Sequence, residues 1–141
     1  MTKKQKIHRL LEVLMKKGIG FTPDFEDDLN KLVTSNVNKF IKDFDFDMEK
    51  NIDDYNRFEK LHLSSKDRQR MDGNILQRYE YRNTSNLRCI FFVYKENNKD
   101  MPIFLCAFNE DGDKTKGPNA YKANVERAIR IYEGLKREGE R

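Results

Sequence analysis

The chain has 141 residues, 37% of them charged and 37% hydrophobic, with a formal net charge of +4. That length suits one domain with room for an appendage, and no apolar run approaches the roughly 20 residues of a membrane span. Two cysteines do not make a disulfide framework, and two distant histidines, His8 and His62, give zinc chemistry little support. A cytoplasmic location is expected, because no hydrophobic signal-peptide core follows the first lysines.

The charge is segregated. Met1 to Phe21 carries six basic residues and one acid, Thr22 to Asp54 ten acids and four basics, and Tyr55 to Phe108 ten basics and six acids. Most of these read as solvated helix faces.

In chain order, Lys3 to Lys17 reads as a helix. Ile7, Leu10, Leu11 and Leu14 share one face, Thr2 caps the start and Gly18 ends it. Thr22-Pro23 starts a second helix, with Asp24, Glu26 and Asp27 favourable to its dipole. Its apolar stripe runs unbroken from Phe25 through Leu29, Val33, Val37 and Phe40 to Phe44, which predicts one long helix. Phe44 to Asp47 breaks the pattern, and a third helix is expected from about Met48 to Leu61. Ser64-Ser65 opens a short polar stretch and Asp72-Gly73 a turn.

Periodicity then shortens. Ile75 to Arg82 reads as a strand, with Tyr79 and Tyr81 on one face and Arg78, Glu80 and Arg82 on the other. Leu87 to Phe108 holds two apolar runs around Asn97-Asn98, residues that tolerate positive φ, and reads as a β-hairpin. With a two-residue turn, Glu96 faces Lys99, Phe92 faces Ile103 and Cys89 faces Cys106; a longer turn shifts that register. Both faces of the hairpin are apolar, so both are covered or one is kept for a partner. Asn109 to Asn119 is a loop by composition. A closing helix carries Tyr121, Val125, Ala128, Ile129, Tyr132 and Leu135 on one face.

The expected class is therefore α+β. Helices are followed by a twisted antiparallel sheet of about three strands, near 75–82, 88–96 and 101–108, and a C-terminal helix. Residues 1–63 form an N-terminal helical region and residues 64–141 the sheet and last helix, in a single compact domain overall.

No nucleophile elbow, Gly-rich phosphate loop or His-x-x-x-His is present. What remains is a basic and phenolic set gathered from different elements: Arg78, Arg82, Arg88, Lys114, Lys116 and Tyr121. Guanidinium and ammonium groups hold a scissile phosphate and stabilise the charge that builds in its transition state. Tyrosines stack on bases or relay protons, which makes Tyr79 and Tyr81 RNA-binding candidates beside Arg78 and Arg82. Glu80 is the one acid in the set and a candidate base. No metal ligand set and no cofactor is expected.

Tyr79-Glu80-Tyr81-Arg82, Leu87-Arg88-Cys89-Ile90-Phe91-Phe92, Ala107-Phe108, Lys114-Thr115-Lys116-Gly117-Pro118 and Val125-Glu126-Arg127-Ala128 follow one another in an order and spacing that resemble the RelE/ParE superfamily of bacterial toxins, in particular its HigB-like, phage-derived branch. The resemblance covers about Ile75 to Leu135. It implies a small fold of twisted antiparallel sheet packed by helices and an endoribonuclease that cleaves messenger RNA, commonly on the ribosome. It also implies neutralisation by an antitoxin, a small helix-turn-helix protein. Within it, Arg88 matches the arginine that contacts the substrate phosphate, Lys114 and Lys116 match the lysine-rich loop, and Tyr121 lies near a family tyrosine. Arg82, Arg88, Lys114, Lys116 and Tyr121 are thus expected around one concave basic surface. Two other functions compete: a ParE-like toxin that poisons gyrase by binding, and a non-catalytic phage-derived interaction protein on the same fold. The acidic helical region from Thr22 to Asp54 is either a built-in cover over that surface or part of the core, and the length of its apolar stripe favours the core.

Overall fold

The computed structural model describes residues 1–51, 54–81, 83, 86–110 and 118–139. The first helix, α1 (Lys3–Lys16), starts in a capping box: Thr2 Oγ1 accepts from the Gln5 amide while Gln5 Oε1 accepts from the Thr2 amide. Its leucine face is buried, and the chain leaves it through Gly18 at φ +89, where a side chain would be strained.

The short strand β1 (Gly20–Phe21) follows, then α2 (Pro23–Leu32). Thr22 caps α2 by accepting from the Phe25 amide at 3.0 Å, and its hydroxyl donates to the Leu105 carbonyl at 2.7 Å. One threonine thereby starts the helix and ties it to the sheet.

The single long helix expected from Phe25 to Phe44 is two helices. α2 ends at Leu32, and α3 (Val37–Lys50) begins after Asn36 at φ +50. Val33-Thr34-Ser35-Asn36 is a run of weak helix formers whose short polar side chains compete for the backbone, and asparagine tolerates the left-handed conformation. The heptad-like spacing across the break concealed it. Conversely, Phe44 to Asp47 does not break the chain but lies inside α3, with Phe44 and Met48 buried. Among the described residues the third helix expected from Met48 to Leu61 does not form as a separate element; Met48 to Lys50 end α3. Beyond them the described residues hold a 3-10 turn at Tyr55–Arg57 and strand β2 (Glu59–Lys60).

After α4 (Ser65–Arg70) come β3 (Leu76–Tyr81), β4 (Leu87–Glu96), β5 (Lys99–Asn109) and α5 (Pro118–Gly139). The α+β class stands, but among the described residues the sheet has five strands in the order β1-β5-β4-β3-β2, and β1 joins β5 in parallel. Both extra strands are two residues long and come from the first 63 residues. Two residues are too few for alternation to show.

The hairpin turns at Asn97-Asn98, both at positive φ, and pairs Glu96 with Lys99 and Phe92 with Ile103 as expected. Cys89 does not face Cys106. A bulge between Ile90 and Phe91 leaves Leu105 as an extra residue, so Cys89 pairs with Ala107 and Ile90 with Cys106. Leu105 and Cys106 then face the same side.

Both faces of the hairpin are covered. α1, α2 and α3 pack on one with Cys89, Phe91 and Phe104; α4 and α5 flank the other with Ile90, Phe92 and Leu105. The first core is aromatic: Phe25 stacks on Phe104 at 5.1 Å between ring centroids, and Phe44 meets Tyr79 edge-on at 5.2 Å. The acidic helices are therefore core, with Phe25, Leu29, Phe40 and Phe44 all buried.

Candidate functional site

Four of the sequence-predicted residues meet on the α5 side of the sheet, at the end where β4 starts. Arg78 and Glu80 lie two apart on β3, so both point to that face, and Glu80 stands directly across from Arg88 on β4. Tyr121 reaches them from the first turns of α5, its ring edge-on to Phe108 at 5.2 Å.

The contacts are close. Arg78 Nη2 lies 2.8 Å from Glu80 Oε1, and Arg88 Nε lies 3.7 Å from the same oxygen. Arg78 also donates to the Tyr121 hydroxyl and to Glu59, and its guanidinium carbon sits 4.9 Å over the Tyr121 ring. Arg88 donates through Nη2 to Glu110 at 2.7 Å. Arg88 is only 6% exposed, and its Nε, although near Glu80, is buried without a hydrogen-bond partner. Burial pulls the Arg78 pKa down, but Glu59, Tyr121 and Glu80 together outweigh it, so the group is held above its ordinary value.

The other expected members do not join. Tyr79 and Tyr81 point to the opposite face, 5% and 2% exposed, and pack in the aromatic core. Their hydroxyls donate to Asp47 and Asp43 of α3, and burial followed by the Asp47 contact pushes the Tyr79 pKa up. Neither ring is available to a base, so the RNA-stacking role fails for both. Arg82, Lys114 and Lys116 lie outside the described residues, and so does the common surface they were expected to share with Arg88 and Tyr121.

Glu59 and Glu110 were missed. Glu59 fell inside the expected third helix, and Glu110 was read as a loop acid. The signal that could have found them is the rule that a buried guanidinium needs carboxylates. The converse rule, that a buried carboxylate needs donors, accounts for Asp28, which accepts from both Arg127 Nη atoms at 2.6 and 2.9 Å and from the Ala107 amide at 2.9 Å. Burial pushes the Cys89 thiol well up and Cys106 to about 12, so neither is a nucleophile at neutral pH. Among the described residues no His, Cys, Asp and Glu group could hold a metal ion, and no helix is long and apolar enough to cross a membrane.

Chemically the cluster offers a carboxylate, two guanidiniums and a phenol on one face, with Arg78 bonded to Tyr121 and Glu80 and with Arg88 joined to Glu80 by an ion pair at 3.7 Å. No family model, curated protein or solved structure matches the chain.

Proposed function

We propose that this protein is a metal-independent endoribonuclease of the toxin type, acting on messenger RNA with the Glu80 cluster as its site. The observation that carries the reading is the convergence of Arg78, Glu80, Arg88 and Tyr121 on one sheet face, with a buried Arg88 Nε left without a hydrogen-bond partner. In this reading the Glu80 carboxylate takes the proton of a ribose 2′-hydroxyl, whose oxygen attacks the adjacent phosphorus. The bond from phosphorus to the 5′-oxygen breaks, that oxygen takes a proton from the Tyr121 phenol, and a 2′,3′-cyclic phosphate is left. The guanidiniums stabilise the charge on the non-bridging oxygens. A phosphate entering the site exchanges with Glu110 on Arg88 and with Glu59 on Arg78. The ribosome is the setting in which messenger RNA is presented, and a small helix-turn-helix antitoxin is the neutralising partner.

The test is incubation of the purified full chain with a messenger transcript, with and without ribosomes, reading cleavage and the chemistry of the new ends. Glu80→Gln should slow cleavage by roughly 100-fold or more, the usual scale for a general base, with an unchanged circular dichroism spectrum. Absence of cleavage under both conditions rejects the reading.

A second reading has its own observation. Both guanidiniums are engaged by carboxylates, which is also how a buried ion network holds a sheet end together in a non-catalytic interaction protein. An unchanged transcript, with a large loss of stability on cluster substitution, is its signature.

A further inference from the structure

A separate cavity lies at the opposite end of the sheet. It is an open groove of about 1100 Å³ between the hairpin tip and the C-terminal end of α1. Along β4, Lys95 is about 23 Å from Arg88 at ~3.3 Å per residue, and alternation turns the two to opposite faces.

The groove is basic, and its charge is uncommitted. Lys16 comes from α1, Lys60 from the edge strand β2, and Lys95 and Lys99 from the two arms of the hairpin. All four are exposed, and none makes an ion pair with a described residue. Lys17 beside them is spent on Asp45 at 3.2 Å and Glu49 at 3.7 Å. Two acids, Asp54 and Asp100, share the lining, so the lysines outnumber them. Tyr94, 41% exposed, also lines the groove, on the Lys99 side of the hairpin and so on the strand face opposite Lys95.

We propose that this groove holds the phosphate backbone of a single-stranded nucleic acid. Lysines on long flexible stems contact phosphates as point charges and position a strand without reading its sequence. They reach the groove from three separate elements, Lys60 and Lys95 on one sheet face and Lys99 on the other, so a bound strand follows the groove around the hairpin tip. An exposed tyrosine beside a basic channel is the stacking platform that unpaired bases use and that a duplex, with its bases stacked inside, does not. The inference stands on other residues than the Glu80 cluster and goes beyond the cleavage reading.

The experiment is fluorescence anisotropy of the full chain with a labelled, mixed-sequence DNA single strand, titrated over a range of salt. DNA has no 2′-hydroxyl for the cleavage step, so binding is read apart from cleavage. The quadruple variant Lys16→Gln, Lys60→Gln, Lys95→Gln, Lys99→Gln should flatten the slope of log K against log salt by about 3, at ~0.7 per phosphate contact for single strands. Tyr94→Ala should weaken binding by at least about fivefold, the low end for one stacked base. The control Lys4→Gln, Lys31→Gln, Lys42→Gln, Lys66→Gln has the same net charge change and should leave most of the slope in place. Equal losses in the two quadruple variants overturn the proposal, as does binding to vesicles of anionic lipid but not to the strand, or a duplex of the same sequence binding as tightly. Should the quadruple variant fail to fold, Lys95→Gln and Lys99→Gln alone must each remove about 0.7 of slope. Strand binding in the groove with no RNA cleavage would reject the cleavage reading and leave the groove standing.

Discussion

The two ends of the sheet use positive charge in opposite ways. At the Arg88 end, two guanidiniums are half-buried or deeper and carboxylates from β2, β3 and the end of β5 surround them. At the hairpin tip, four lysines stand in an open groove with no ion pair among the described residues. A count of basic residues rates both ends alike. The difference is desolvation: a charge taken out of water needs a counter-charge, while an exposed lysine keeps its hydration and stays available. Arginine clusters drew attention in the sequence because they sit in apolar strands, and burial in apolar strands is also what commits them.

The comparison breaks most easily at Arg88. Arg88→Ala leaves Glu80 and Glu110 facing a hole in the sheet, and removing one partner of a buried pair costs about 3 kcal/mol. For a chain of this size that corresponds to a melting temperature lower by roughly 10 °C, read by circular dichroism. A loss under about 1 kcal/mol would mean that Arg88 is held loosely and that its carboxylates are incidental. Asp28→Ala is next. It strips the Ala107 amide on the outer edge of β5 and both Arg127 donors, with an expected loss of about 2 kcal/mol. If Asp28→Ala unfolds the chain before Arg88→Ala does, the α2–β5–α5 seam, not the Arg88 cluster, is the more committed of the two.

What the sequence made legible follows the same line. Long patterns survived: the leucine face of α1, the alternation of β3, the Asn97-Asn98 turn and its first pairs, and the face of α5. Short or interrupted ones did not. A two-residue strand has no period, the Thr34 to Asn36 break hides inside an unbroken i, i+4 stripe, and the bulge at Leu105 moves Cys106 by one place with nothing in composition to announce it. Of the candidate site, Arg78 and Glu80 were recoverable together because strand parity places them on one face, whereas the position of Arg88 opposite Glu80 depends on the β3–β4 register. Tyr79 and Tyr81 were placed on the correct opposite face of β3, but their burial against α3 depended on where that helix runs. The lysine groove was illegible because its members come from α1, β2 and the hairpin, which only the tertiary fold brings together.

A milder test uses Arg70, which joins α4 to α5 through Glu126 at 2.7 Å and Glu133 at 2.8 Å. Hydrogen bonding to Arg70 holds both carboxyls below their ordinary 4.5. Depressed folded-state values mean that this contribution is complete above about pH 4.5 and is lost as pH falls through them. Both groups are about a third exposed, so solvent screening limits the effect to about 1 kcal/mol or less. Arg70→Met should make acid unfolding shallower just below pH 4.5 and leave stability above pH 6 lower by a similar amount. An unchanged acid limb would show that the bridge is fully screened, the behaviour of a surface pair and not of the Arg88 kind.

The smallest effect belongs to the groove, and it sharpens the contrast most. Lys16, Lys60, Lys95 and Lys99 touch no carboxylate among the described residues and lie exposed, so glutamine at any one of them should change stability by no more than about 0.5 kcal/mol. Lys99 sits one residue past the positive-φ pair at the turn, where the backbone and not the side chain decides the conformation. A melting temperature within about 2 °C of the parent, together with a flattened salt slope, separates availability from commitment in one protein. A lysine whose loss lowers stability as Arg88→Ala does is held by the fold, and the groove is then one contact shorter than its geometry suggests.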